Sequence, residues 1–176
     1  NNYPLAQIEE VCSQSRRIGL GVLGLHDFLL MQGHKYNSPG GLELANKIME
    51  FIKNSAYEAS IDLAREKGSF AKLNIPEFLK SGFVKTLKPS IRSKIKEFGI
   101  RNCALLTIAP TGTTSMVCEY TSGIEPMFAP AYRRKYRDTT GELAEEVVVH
   151  PLLKNYIKWN YKVDHFKGSH ELSMRY

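Results

Sequence analysis

Thr107–Ser115, TIAPTGTTS, follows the apolar run Asn102–Leu106, NCALL, and leads into Met116–Pro126, MVCEYTSGIEP. The near-continuous apolar character of Ile100–Pro110, IRNCALLTIAP, predicts a strand buried on both faces. Pro110 then breaks the run, and four hydroxyls and one glycine occupy the next five positions, where the strand would give way to a helix. A helix starting at Gly112 or Thr113 offers unpaired backbone N–H groups and the positive end of its dipole. Gly112 is expected to supply an unusual φ and to let an oxygen approach the backbone. Thr111, Thr113, Thr114 and Ser115 add side-chain donors, which together describe a phosphate pocket. The loop is not a P-loop, because the lysine and the full glycine spacing are absent. The competing reading is a capped helix whose hydroxyls serve only their own backbone.

Working outward, the pattern is α/β with long helices. Residues from about Ile8 to Arg17 are polar and helical, and a short amphipathic helix follows, ending near Gly33. Ser38 and Pro39 form an N-cap and first-turn pair. The helix they start runs to Lys67, with Gly68 as its stop. Ala45, Ile48, Ile52, Ala56, Ala59 and Leu63 give it one apolar stripe. Nearly thirty residues make a rod of about 40 Å at ~1.5 Å per residue, fit for the outer layer of a large α/β structure. Ser69–Gly99 is lysine-rich and broken by Pro76, Gly82 and Pro89, with short helices between. Thr121–Asp138 reads as extended. The tail after Gly141 is charged, with a short helix near Leu152–Trp159.

At 176 residues with 43% hydrophobic content, the chain is one domain or a piece of one. It opens without Met and reads as an internal piece. The net charge of +6 comes largely from Lys80–Lys96 and from Tyr132–Arg137, YRRKYR. Such runs are most simply solvated faces, and no nucleic-acid partner is expected. Three cysteines, Cys12, Cys103 and Cys118, form no metal-binding spacing and fit a reducing, cytoplasmic setting. Cys103 should be core, and Cys118 a buried, inert thiol. No apolar stretch is long enough to span a membrane. His26, Asp27 and His34 read as structural or surface residues, because a metal or acid–base role needs further ligands that do not stand at helical or hairpin spacing.

Gly19–Gly24, GLGVLG, matches G-x-G-x-x-G literally. A dinucleotide site would need a hydrophobic strand before it and a second strand ending in an acid about twenty residues later. The polar stretch before it and the long helix after it exclude that reading. Close backbone approach is the better account of these glycines.

The segments RNCALLTIAPTGTTS (101–115) and SGIEPMF (122–128), preceded by NNYPLAQIEE (1–10) and RRIGLGVLGLHDFLL (16–30), resemble ribonucleotide reductase catalytic subunits, in the same order. The resemblance covers about residues 1–138. The wording around the loop is most similar to the adenosylcobalamin-dependent class II enzymes, with class I as the alternative. It implies a ten-stranded α/β barrel, of which this chain is a fragment with long outer helices and few strands. Residues 139–176 would form a charged, partly helical extension. The implied reaction reduces a ribonucleoside di- or triphosphate: a cysteine thiyl radical abstracts the 3′ hydrogen, the 2′-hydroxyl leaves as water, and a cysteine pair supplies electrons. Pro110, Thr111, Gly112, Thr113 and Thr114 would sit at the nucleotide phosphates, with Ser115 supporting. The family's N-x-C-x-E setting of the radical cysteine and its tail of paired cysteines are absent, so no catalytic residue is expected in this chain, which alone should be inactive. Its partners would be the substrate, the remainder of the reductase chain and, in a homodimer, a second copy of the enzyme. A stand-alone nucleotide-binding module and a purely structural domain are the alternative functions.

Overall fold

The structure is a computed structural model that describes residues 2–161, with side chains through residue 156. It divides into two compact units, Asn1–Val22 with Asn37–Ala109, and Leu23–Tyr36 with Pro110–Tyr176. The hydroxyl-rich loop opens the second stretch of unit 2.

Unit 1 is helical. It contains α1 (Ala6–Ser15), α3 (Pro39–Lys67), α4 (Ile75–Lys80), α5 (Gly82–Lys85) and α6 (Pro89–Phe98); α2 (Leu25–Met31) belongs to unit 2. Helix α3 begins as its sequence predicts: Ser38 Oγ accepts from Gly41 N at 3.1 Å, Pro39 takes the first turn, and the helix stops at Gly68. Its buried face is not the expected stripe. Asn54, Tyr57, Ser60, Ile61 and Ala64 are buried, whereas Ala59 and Leu63 are exposed and Ala45, Ile48, Ile52 and Ala56 only half-buried. The face is chosen by what packs on it. Ile91 and Ile95 of α6 are fully buried with Tyr57, Ile61, Ile100 and Leu105 in one apolar cluster.

The expected strand at Ile100–Pro110 is reduced to a single parallel bridge, Leu20 to Leu106. Ile18 N donates to Ala104 O (3.0 Å), Leu20 N to Leu105 O (2.7 Å) and Thr107 N back to Leu20 O (3.0 Å). Burial is one-sided: Ile100, Asn102 and Leu105 are buried, but Thr107–Pro110 are exposed. Among the described residues the run has one short partner segment and no second, so it lacks the ladder that extends a strand. The polar residue in this run holds its neighbours. Asn102 Oδ1 accepts from Ser60 Oγ at 2.9 Å, its Nδ2 donates to Arg16 O at 2.7 Å, and its backbone N donates to Ser60 Oγ at 3.2 Å. Cys103 is half-buried against the apolar cluster.

Gly19 and Gly21 show why GLGVLG is glycine-rich. A Cβ at Gly19 would stand 2.6 Å from Thr107 Cγ2, and one at Gly21 would stand 2.5 Å from Thr107 O. Gly21 is thus a backbone-approach glycine, as the sequence suggests, whereas Gly19 makes room for the Thr107 side chain.

Unit 2 contains α2, α7 (Gly112–Cys118), an antiparallel hairpin of β1 (Ala131–Arg137) and β2 (Leu143–Val149), and α8 (Pro151–Tyr161). Of the segment read as extended, only Ala131–Arg137 is strand. The register sets Arg134 opposite Glu146 and Lys135 opposite Glu145, while Arg133 reaches Glu145 at 3.1 Å. The basic run is therefore a solvated strand facing acidic neighbours, a favourable cross-strand arrangement. Asp138 builds the turn by accepting from Thr140 Oγ1, Thr140 N and Glu142 N. These bonds, led by the Thr140 hydroxyl, hold its carboxyl below the usual range. The hairpin pairs residues on both sides of position 138, so 143–149 are joined to the segment before them. Residues 162–176 of the charged tail lie outside the described residues. No helix among the described residues is long and apolar enough to cross a membrane.

The interior of unit 2 is unusually polar. His26, Asp27, Ser115 and Thr121 are all buried, alongside Leu29 and Val149. His26 Nδ1 accepts from Met127 N at 2.7 Å, which requires a neutral ring. Burial pushes the His26 pKa down; Asp27 opposes this and His150 adds to it.

Gly21→Ala should destabilise the protein by about 1–3 kcal/mol, because the new methyl meets a backbone oxygen that cannot rotate away. Gly82→Ala, which meets nothing within 4 Å, should be close to neutral. Chemical denaturation of both variants checks the pair. Because the folded His26 pKa lies below its unfolded value, the neutral ring's contribution is present above about pH 6.5 and lost as pH falls through the folded pKa. Denaturation at pH 7 and pH 5 should therefore show a smaller acid loss in His26→Gln, whose side-chain oxygen still accepts from Met127 N.

Candidate functional site

Helix α7 starts with an unusual backbone. Thr111, its N-cap, is left-handed at φ 52°, ψ 26°, a strained region for a β-branched residue. Gly112 does not take the unusual φ expected of it: the left-handed residue is the threonine before it, and Gly112 is not among the positive-φ glycines. A Cβ on Gly112 would meet nothing within 4 Å. Space above this residue, not its φ, is what the glycine leaves free.

The hydroxyls divide into two groups. Thr111 Oγ1 accepts from Gly123 N at 2.7 Å, and so does not cap its own helix. Ser115 is 2% exposed; its Oγ lies 2.7 Å from Ser122 Oγ and donates to Gly112 O at 3.0 Å. These two side chains hold the loop's shape. Thr113 and Thr114 are exposed, as is Pro110, and among the described residues neither threonine hydroxyl makes a hydrogen bond within the protein.

The backbone completes the picture. Ser115 N donates to Thr111 O at 2.8 Å, the first bond of the helical ladder. The N–H groups of Gly112, Thr113 and Thr114 precede that bond and have no helical carbonyl to reach. No side chain caps them. Three adjacent amides, two free hydroxyls and an unobstructed glycine form a donor-rich patch suited to an anion with several acceptor oxygens.

The support beneath this loop was not legible in the sequence. Asp27, 1% exposed, accepts from Thr121 N through Oδ2. His150 Nε2 lies 3.1 Å from Asp27 Oδ1, though not aligned as a hydrogen bond. Gly24 N donates to Thr121 O at 2.8 Å. Asp27 stands three residues into the segment after Gly24, a position that marks a helix first turn but not a partner ninety residues away. For His150 the sequence carries no signal. His34 is half-buried, and the described residues contain no cluster of His, Cys, Asp and Glu able to hold a metal ion. Cys118, expected to be buried, is exposed at the end of α7. The helix is only seven residues long and turns its last residues outward.

The chain is similar to known proteins over most of its length. Residues 1–173 match the family model described as the ribonucleotide reductase barrel domain. The vitamin B12-dependent ribonucleoside-diphosphate reductase of Thermoplasma acidophilum is 40% identical over 134 residues, which is 76% of this chain and 16% of the relative. The protein of the same description from Mycobacterium tuberculosis is 37% identical over 76% of this chain and 17% of its own length. The ribonucleoside-diphosphate reductase subunit alpha of Treponema pallidum is 34% identical over 71% of this chain and 16% of its own. The chain thus spans about a sixth of these relatives. With a family match across nearly its whole sequence, this chain belongs to the ribonucleotide reductase barrel-domain family.

Proposed function

We propose that this chain is the part of a ribonucleotide reductase large subunit that holds the phosphates of the ribonucleotide substrate. The observation that carries the reading is the start of α7, where the amides of Gly112, Thr113 and Thr114 lack helical partners and no side chain caps them. A structural cap would have used the hydroxyls on the helix's own amides. Here Thr111 and Ser115 brace the loop, and Thr113 and Thr114 are left for a ligand. Anchoring the phosphates would fix the ribose relative to the reacting groups, which is catalysis by positioning.

The whole protein, in this reading, reduces ribonucleotides to deoxyribonucleotides on a ten-stranded α/β barrel to which these residues contribute one part. The relatives' descriptions favour a diphosphate substrate, and the B12-dependent descriptions at 37 to 40% identity favour adenosylcobalamin as cofactor. Adenosylcobalamin would supply the radical that starts the reaction. Among the described residues, no cluster of His, Cys, Asp and Glu is placed to hold the metal of that cofactor. The subunit alpha relative supports a class I enzyme as the second reading.

The test is nucleotide affinity in the full-length enzyme. A hydrogen bond to a charged group contributes about 1.5–3 kcal/mol, so Thr113→Ala should weaken diphosphate binding roughly 10- to 150-fold. The bare nucleoside should lose far less. Gly112→Val should also weaken the diphosphate while changing stability little, since a Cβ at this position meets nothing within 4 Å. Loss of stability with wild-type affinity would make the loop a structural cap. Cys118→Ala, at an exposed position, should change stability by no more than about 0.5 kcal/mol and leave affinity and turnover unaltered.

A further inference from the structure

We propose that Asp27 is a positioning residue for the phosphate loop: from α2 it fixes Thr121–Gly123, and that segment fixes the start of α7. The inference rests on the phosphate reading above and extends it to residues outside the loop.

The linkage is continuous. The first turn of α2 grips the Thr121 peptide from both sides, with Gly24 N donating to its carbonyl and the Asp27 carboxylate accepting from its N–H. Two residues on, Gly123 N donates to Thr111 Oγ1, and the Ser122 hydroxyl meets that of Ser115 at 2.7 Å. Tyr120 N also donates to Ser115 O, at 3.1 Å. Thr111 is held left-handed without any cap bond to its own helix. A strained conformation of this kind persists only where its surroundings over-determine it. The contact from Gly123 is what does so, and Gly123 is placed by the segment that Asp27 holds.

The chemistry of Asp27 supports a role beyond filling space. A carboxylate that is 1% exposed carries a large desolvation penalty unless it is paired and hydrogen-bonded. Oδ2 has the Thr121 amide, while Oδ1 has only the edge of His150 at 3.1 Å. A neutral acceptor would satisfy one amide with less desolvation. The ionised one makes a shorter, stronger bond and holds its donor more tightly. Tight placement matters for a loop that binds through three adjacent amides, because a small displacement weakens all three together.

The experiment uses the full-length enzyme, with CDP and cytidine as the two probes in titration calorimetry. Asp27→Ala should weaken CDP about tenfold or more, the equivalent of ~1.4 kcal/mol, and leave cytidine unchanged. A merely structural lesion lowers stability without separating the two ligands. Asp27→Asn keeps an acceptor for Thr121 N but loses the charge, and should fall between Asp27→Ala and wild type. Thr113→Ala is the control for the phosphate reading. If Thr113→Ala weakens CDP and a folded Asp27→Ala binds it as wild type does, the inference is overturned while the phosphate reading stands. If Thr113→Ala also binds CDP normally, the phosphate reading falls and takes the inference with it. Should Asp27→Ala fail to fold, Asp27→Asn decides, and wild-type CDP affinity in that variant overturns the proposal.

Discussion

Two stretches of backbone lie too close together at Gly21 and Thr107 for any side chain to stand between them. A Cβ at Gly21 would be 2.5 Å from Thr107 O, well inside contact distance. That exclusion lets Ile18 and Leu20 donate to Ala104 and Leu105, and Thr107 donate back. With 104–107 fixed in this way, Ile100 and Leu105 enter the cluster formed with Tyr57, Ile61, Ile91 and Ile95. Asn102 ties the same run to Ser60 and to the end of α1. Unit 1 is thus organised around a short parallel contact that only glycine permits, with buried apolar area supplying the driving force.

Unit 2 solves a different problem. Among its described residues there are few buried large apolar side chains and several buried polar ones, so its order depends on hydrogen bonds with directional demands. His26 takes the Met127 amide, Asp27 takes the Thr121 amide, and Tyr36 donates to Ile124 O at 2.6 Å. Each is a side chain of the 23–36 stretch serving a backbone group of the 121–127 stretch. A buried amide or carbonyl left unpaired costs about 1–3 kcal/mol, so such a set specifies one arrangement. The loop at Thr111–Ser115 inherits that precision through Ser122 and Gly123.

Membership in the ribonucleotide reductase barrel-domain family gives this organisation a setting. The chain spans about a sixth of its B12-dependent and subunit alpha relatives. Among the described residues, large apolar side chains such as Phe51 and Phe128 stand exposed.

Much of the fold was legible in local signals, because those signals are complete within a few residues. Ser38–Pro39 and Gly68 bound α3, Pro76 and Pro89 mark the first turns of α4 and α6, and a glycine that must admit a neighbouring backbone can be read from its company. The hydroxyl-rich turn was legible as a donor site for the same reason, since helix N–H groups and their threonines are neighbours in sequence. What the sequence could not decide was which neighbours each side chain would meet. The buried face of α3 follows Tyr57 and Ile61 because α6 packs there, whereas counting apolar residues selects Ala59 and Leu63. The apolar run at 100–110 has strand composition, yet a strand needs a partner on its edge and here receives only a short one. Sequence alone established that Thr111–Ser115 is rich in donors. Tertiary structure decided which of them are already engaged, because Gly123, Ser122 and Asp27 arrive from other parts of the chain and a hydrogen bond forms only where folding brings both groups together.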